Sequence, residues 1–96
     1  GYVYSKNEWS IAKENLRRSI QLMERYKNQT DVCAYLTNAG NVFAWKAKME
    51  GLAPEEEGLD YLKRASSLLG SVKEAPRRRK LEEEIKEALS DVPKGS

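Results

Sequence analysis

The sequence predicts an all-α fold, an antiparallel up-down bundle of about four helices. In each of four segments the apolar residues recur at steps of three and four, the period of an amphipathic helix. Capping residues, glycines or prolines separate the segments, and no stretch alternates apolar and polar residues as a half-buried strand would. Short connections favour antiparallel neighbours. The predicted helices span residues 6–27, 31–50, 54–72 and 76–92.

The first helix has the clearest start. Ser5 at the N-cap and Glu8 three residues later form a capping box, in which each side chain can bond a backbone N–H of the other residue. Tyr4 and Trp9 flank the box at the spacing of a hydrophobic staple. The apolar face comprises Trp9, Ala12, Leu16, Ile20 and Met23, widened on one flank by Ile11, Leu22 and Tyr26.

The second helix has the broadest apolar face. Asn28-Gln29-Thr30 breaks the chain before it, with Thr30 as the predicted cap, and Gly51 is placed to end it in the left-handed conformation. One apolar row contains Val32, Leu36, Ala39, Phe43 and Ala47, and a second row contains Tyr35, Val42, Trp45 and Met49. Two rows predict a central helix with neighbours on two sides.

Prolines start the third and fourth helices, and opposite charges follow them. Pro54 precedes Glu55-Glu56-Glu57, carboxylates that suit the positive end of a helix dipole. Pro76 precedes Arg77-Arg78-Arg79-Lys80, cations that the dipole disfavours by roughly 0.3–1 kcal/mol when exposed at low salt. Pro93 is expected to stop the fourth helix. The two apolar stripes are Leu59, Leu62, Ala65, Leu69 and Val72, and then Leu81, Ile85, Ala88, Leu89 and Val92.

Two glycines lie inside helical patterns. Gly40 and Gly58 each cost roughly 0.5–1 kcal/mol relative to alanine. The favoured interpretation is that they let two backbones approach closely where the second and third helices cross. The alternative is a weak point or an exposed backbone surface for binding.

Part of the chain resembles a tetratricopeptide repeat over residues 34–70. The residues that carry the likeness are Ala34 to Phe43, with Gly40 among them, and then Leu62 and Ala65. In that family small residues mark the helix crossing and an aromatic residue follows one turn later. Ala47 stands where the family usually has glycine, Gly58 where it has alanine, and residues 1–33 do not repeat the pattern.

The helical hairpin is also similar to the three-helix bundle of the microtubule-interacting-and-trafficking type. The bulky Trp9, Tyr35 and Trp45 differ from the alanine-rich early helices of that family. Both resemblances imply a surface that binds a peptide or a helix, which in the second family lies in grooves between helices.

Composition limits the chemistry. The 96 residues predict one domain over 6–92, between tails 1–5 and 93–96. The chain has no histidine and one cysteine, Cys33, so we predict no catalytic residue, metal site or cofactor. Cys33 is expected to be a small buried residue, the alternative being a thiol activated by the helix dipole. A lone thiol favours a reducing compartment, hence the cytoplasm, with the nucleus as an alternative.

No apolar run approaches the roughly 20 residues needed to span a bilayer. The net charge of +2 divides into +3 over residues 1–50 and −1 over residues 51–96, too little to indicate non-specific nucleic-acid binding. Because the chain opens without methionine, we expect a processed product or a domain of something larger.

The second helix is the predicted functional surface. It carries more apolar side chains than one neighbour can cover, which predicts a non-enzymatic adaptor or scaffold domain that binds a partner helix or peptide. The predicted contact residues are Tyr35, Val42, Trp45 and Met49, together with Trp9. A second copy of the domain is the other occupant left open.

The basic run Arg77, Arg78, Arg79 and Lys80 has three interpretations. In the first it is a solvated face whose charges pair at i,i+4 with Glu82, Glu83 and Glu84. In the second it contacts an acidic partner protein. In the third it binds nucleic acid or another anionic surface, which is the alternative function predicted for the domain.

Overall fold

The computed structural model describes residues 4–90 and confirms the all-α bundle. Its elements are α1 Lys6–Tyr26, α2 Gln29–Glu50, α3 Glu56–Ser67, a 3₁₀ turn Leu69–Ser71 and α4 Ala75–Ser90. No strand occurs within those residues. None of these helices is long and apolar enough to cross a membrane. The predicted roles of Val92 and Pro93 fall outside the described residues.

α2 and α3 cross closely because each presents a glycine to the other. Gly40 lies against Leu62, and Gly58 lies against Phe43. A Cβ atom at either glycine would overlap the side chain opposite, and one at Gly40 would also come within 3.3 Å of the Gly58 carbonyl oxygen. The packing interpretation of both glycines is confirmed. The pairs 40 with 62 and 43 with 58 make the two helices antiparallel.

α2 is the central helix, in contact with α1, α3, α4 and the 3₁₀ turn. Thr37 is the one buried polar side chain in residues 4–90, and its Oγ1 donates to the Cys33 carbonyl oxygen at 2.9 Å. The hydrophobic core consists of Trp9, Ile20, Val32, Cys33, Leu36, Ala39, Phe43, Ala44, Tyr61, Leu62, Ala65, Val72, Leu81, Ile85 and Ala88. Every helix contributes to this single cluster, with α2 the largest contributor.

The Ser5 cap and the staple of α1 are confirmed, whereas only one half of the predicted capping box forms. The Glu8 backbone N–H donates to Ser5 Oγ at 3.2 Å, which is the Ser5 half of the capping box. The rings of Tyr4 and Trp9 are in contact, with centroids 5.6 Å apart and planes tilted by 43°, as the staple predicts. The local sequence therefore fixes where α1 begins and how the chain enters it.

The start of α2 differs from the prediction. Asn28, not Thr30, is the cap, because its Oδ1 accepts from the Asp31 N–H at 2.9 Å, and asparagine is the stronger capping residue. Thr30 lies inside the helix and donates to the Ser71 carbonyl oxygen at 3.1 Å. Gly51 ends α2 at φ 68°, as predicted.

The predicted bounds of the third helix, 54–72, are wrong at both ends. Pro54 lies outside α3, which begins at Glu56 after an N-cap at Glu55. The helix stops at Ser67, and the 3₁₀ turn then leads to Val72, which is fully buried in an extended conformation. Serine and glycine around this end are weak helix formers, so burial of the valine determines the path.

α1 and α4 pack on opposite sides of the α2–α3 pair. α1 is parallel to α3, since Lys13 pairs with Glu55 at 3.0 Å and Glu24 with Arg64 at 2.6 Å further along both helices. Between described residues, α1 and α4 share no backbone contact. One side of α2 is consequently left open between them.

α4 begins at Ala75, so Pro76 is its second residue. Arg77 lies 3.8 Å from Asp31 near the start of α2, and Glu87 lines the same groove as Lys48 near its end. α4 is therefore parallel to α2, which completes the up-down order.

Candidate functional site

The second apolar row of α2 is only partly covered by the rest of the bundle. Tyr35 and Val42 are half-buried and pack against the core. Trp45 and Met49, further along the helix, remain 45% and 42% exposed. The apolar surplus predicted for this helix is therefore concentrated in its C-terminal half.

Trp9, which the sequence also predicted as a contact residue, is buried in the bundle and does not lie on this surface. Its side chain is only 6% exposed and packs edge-on against Phe43 at 4.9 Å. The indole N–H donates to Glu55, and the Lys46 ammonium lies 4.8 Å from the ring centroid. The indole N–H and the ring of Trp9 are therefore both engaged by neighbours within the bundle.

A series of aromatic rings connects Trp45 to the core. The ring of Trp45 meets that of Tyr4 at 6.3 Å in an edge-on geometry, and Tyr4 in turn packs on Trp9. Edge-on pairs of this kind are worth roughly 0.5–1.5 kcal/mol beyond the area they bury. Trp45 is thus exposed yet held by neighbours, which reduces the entropy it would lose on binding.

Beside Trp45, a groove of about 290 Å³ runs between α2 and α4. Its small residues are Ala44 and Ala88, and charged residues of both signs stand at its edge. We call this the Trp45 groove, lined by Asn41, Ala44, Trp45, Lys48, Glu84, Glu87 and Ala88. A groove with an aromatic wall and charged edges is suited to a helix or peptide with one apolar face.

Leu52 adds an apolar residue that the sequence did not single out. It follows the left-handed Gly51, and its N–H donates to the Ala47 carbonyl oxygen at 2.9 Å, closing a Schellman turn. Its side chain is 62% exposed, three residues beyond Met49. The sequence feature that could have indicated Leu52 is its place directly after Gly51, the glycine that ends α2.

Glu55 and Glu57, at the start of α3, bind side chains of α1. Glu55 accepts from Trp9 Nε1 at 2.5 Å and from Lys13 Nζ at 3.0 Å. Glu57 pairs with Arg17 through two bonds of 2.9 and 2.7 Å. The sequence assigned these carboxylates to the helix dipole, but their partners lie on α1. We call this set of bonds the α1–α3 clasp.

The clasp shifts the titration of its members. Burial raises the pKa of Glu55, but hydrogen bonds from Lys13 and Trp9 outweigh it and give a net lowering. The hydrogen bond from Arg17 lowers the pKa of Glu57 in spite of burial. Burial and a 2.6 Å bond to Glu57 raise the pKa of Tyr61 to about 12. Both carboxylates are therefore held ionised and Tyr61 is held neutral.

The basic run does not form one patch. Arg77 lies 3.8 Å from Asp31, and Arg78 donates from Nη1 to the Val72 carbonyl oxygen at 2.9 Å. Arg79 and Lys80 are exposed. None of the three predicted i,i+4 pairs with Glu82, Glu83 and Glu84 forms among residues 4–90. Two of the four cations serve the fold and two remain in solvent.

Cys33 is the buried residue that the sequence favoured. It is fully enclosed, and its Sγ lies 3.2 Å from the Ala65 carbonyl oxygen. Burial raises the pKa of the thiol, contrary to the alternative of activation by the helix dipole. Within residues 4–90 no cluster of acidic, cysteine or histidine side chains could hold a metal ion.

One flank of α1 is exposed where the sequence predicted core. Ile11, Leu22 and Tyr26 were expected to widen the buried stripe, but they are 62%, 57% and 70% exposed. α1 buries only the narrower row around Trp9 and Ile20, since α2 and α3 cover it from one side.

Comparison with protein-family models, with curated proteins and with solved structures gives no significant match to this chain. The two resemblances drawn from the residues stay predictions, and the geometry above is the basis for assigning a function.

Proposed function

We propose that this domain is a non-enzymatic protein-interaction module that binds a partner helix or peptide in the Trp45 groove. The observation that carries the proposal is the 45% exposure of Trp45, an indole held in place by Tyr4 at one wall of that groove. Tryptophan is among the residues that dominate binding energy at protein interfaces.

The apolar contribution comes from the C-terminal half of α2. Trp45 and Met49 would cover apolar side chains of the partner, and Leu52 extends the surface beyond the helix end. The flexible thioether of Met49 can adapt to partners of different shape. An amphipathic helix presents its anchors at steps of three and four, which matches a groove that runs along two helices.

The charged edge supplies orientation. Lys48 stands on the α2 side of the groove, while Glu84 and Glu87 stand on the α4 side. A partner helix with acidic residues on one flank and basic residues on the other would fit in one direction and clash in the reverse one. Such rim charges act mainly on association rate and selectivity.

The test is selection of peptides from a displayed library against the wild-type chain, followed by titration of the selected peptide. We expect the Trp45 indole signal to shift on binding and Trp45→Ala to weaken binding at least about 30-fold, as a hot spot of about 2 kcal/mol requires. The matched control is Leu22→Arg, an exposed apolar position on α1, which should leave binding unchanged.

Selected peptides that shift resonances elsewhere, or that bind Trp45→Ala as tightly as wild type, would contradict the proposal. Failure to select any peptide from a library of both helical and extended sequences would also count against it.

A further inference from the structure

Three large apolar side chains are aligned on the side of α1 that faces away from α3. Ile11, Leu22 and Tyr26 are the exposed residues, and at 100° per residue they fall within about 60° of one another. Lys13 and Arg17, which bind α3, occupy the other side of the helix. We call this surface the outer flank of α1. Single exposed apolar residues are ordinary, but three on one side of the same helix make a candidate contact surface.

Charges along the outer flank are separated by sign. Glu8 and Glu14 lie exposed in the N-terminal half of α1, and Arg18 and Arg25 lie exposed in the C-terminal half. Glu14 and Arg18 pair at 3.3 Å within the helix, yet their side chains stay 54% and 74% exposed. A surface that is acidic at one end and basic at the other is complementary to a reversed copy of itself.

We propose that a second copy of this chain pairs with the outer flank of α1 in the antiparallel direction. In that register Ile11 of one copy lies opposite Leu22 of the other, with the twofold axis between positions 16 and 17. The acidic half of each helix then meets the basic half of the other. A parallel arrangement would oppose like charges and like ends of two helix dipoles.

The pair is weak, because the flank offers only a few hundred Å² per copy against the roughly 800 Å² per partner of a standard interface. We expect a dissociation constant on the order of 0.1–1 mM at low salt, rising with ionic strength. This inference does not rest on the proposed function, since the Trp45 groove is built from α2 and α4. A dimer would nevertheless present two grooves and gain avidity for a bivalent partner.

The first experiment is sedimentation equilibrium of the full chain from micromolar to millimolar concentration at low salt. The wild type should show concentration-dependent dimer, and Leu22→Arg should weaken it at least about tenfold. Leu52→Arg is the matched control, because Leu52 is as exposed as Leu22 but lies off α1. Together with Trp45→Ala, these variants separate a failure of pairing from a failure of the proposed function.

Charge reversal tests the complementarity. Glu8→Arg with Glu14→Arg makes the flank wholly basic, and Arg18→Glu with Arg25→Glu makes it wholly acidic, so each double variant should be monomeric alone. Their equimolar mixture should dimerise. Glu82→Arg with Glu83→Arg changes the net charge by the same amount as the first variant but lies on α4, and it should pair like wild type.

The relative direction of the two paired α1 helices is measured by NMR. An Asn7→Cys chain that carries a nitroxide at position 7 is mixed with ¹⁵N-labelled wild type, and the broadening of the wild-type amide resonances is recorded. The native Cys33 is fully buried and should react far more slowly than the exposed position 7. Antiparallel pairing places position 7 opposite Tyr26, so the broadened amides should lie at the end of α1. Broadening at residue 7 itself, a monomer at every concentration, or equal loss of pairing in the α4 control variant would overturn the proposal.

Discussion

The α2–α3 crossing and the α1–α3 clasp hold the bundle together by different means. At the crossing, Gly40 and Gly58 bring two backbones together over a closed, apolar contact. At the clasp, long side chains of α1 reach Glu55 and Glu57, and the Arg17 and Glu55 side chains stay 46% and 45% exposed. The crossing depends on shape and is insensitive to pH and salt, whereas the clasp depends on charge and is sensitive to both.

The largest expected effect comes from filling the crossing. Gly58→Ala would place a Cβ against the Phe43 Cβ, which cannot swing aside, so we expect a loss of about 2 kcal/mol in the free energy of unfolding, in spite of the better helix propensity of alanine. Gly70→Ala is the control, because nothing lies within 4 Å of its Cβ position. Urea denaturation measures both.

A double-mutant cycle sharpens this point. With Phe43→Gly, which removes the Cβ as well as the ring, the space opposite residue 58 is empty, so Gly58→Ala should become neutral or slightly stabilising there. If the penalty of Gly58→Ala persisted in that background, the close contact would not be its cause.

The contribution of the α1–α3 clasp to the free energy of unfolding should fall in acid. The folded-state pKa values of Glu55 and Glu57 lie below their unfolded values. The stability they contribute is therefore complete above the ordinary glutamate pKa of about 4.3 and is lost as pH falls through the folded values. Urea denaturation at a series of pH values should show this decline, and Glu55→Gln with Glu57→Gln should flatten it. An unchanged slope in the double variant would assign the acid sensitivity to other groups.

One member of the clasp should matter less than the whole. Glu57→Gln removes the negative charge and one of the two oxygens that accept from Arg17. We expect a loss of about 0.5–1 kcal/mol in the free energy of unfolding at low salt, because the pair is partly exposed and screened. Glu56→Gln, an exposed neighbour outside the clasp, should cost less. The difference between the two variants should shrink in 1 M salt, and a difference independent of salt would point to packing.

The smallest effect on stability is expected at the exposed cations Arg79 and Lys80. Arg79→Gln with Lys80→Gln should change the free energy of unfolding by less than about 0.5 kcal/mol. The same variant tests the alternative of nucleic-acid binding, since a phosphate contact through these residues would weaken steeply with salt and would be lost in the variant. Filter binding or fluorescence anisotropy with a labelled duplex is sufficient.

Local signals predicted the fold well because they act within a few residues. Ser5, Gly51 and the glycine pair gave correct boundaries and a correct crossing. Thr30 gave a wrong start for α2, because Asn28, a better cap, stands two residues earlier. Pro54 gave a wrong start for α3, because Glu55 is bound to α1 and the helix begins only after it.

The surface was harder to predict because it depends on distant partners. Trp9 and Trp45 both lie on apolar rows, and nothing in the periodicity says that one row is closed by Phe43 while the other is left open. The bonds of Glu55 and Glu57 span about forty residues, beyond the reach of any local pattern. The Trp45 groove needed α4 in place, so its acidic edge could not be anticipated.

The burial of Cys33 allows the opening rate of the bundle to be measured chemically. Its sulfur is sealed between α2 and the Ala65 carbonyl, and no other thiol competes for reagent. Attack by an external disulfide must wait until the helices part, so with saturating reagent the modification rate in native buffer equals the rate at which they part. The rate of transient helix separation can thus be measured in the wild-type chain.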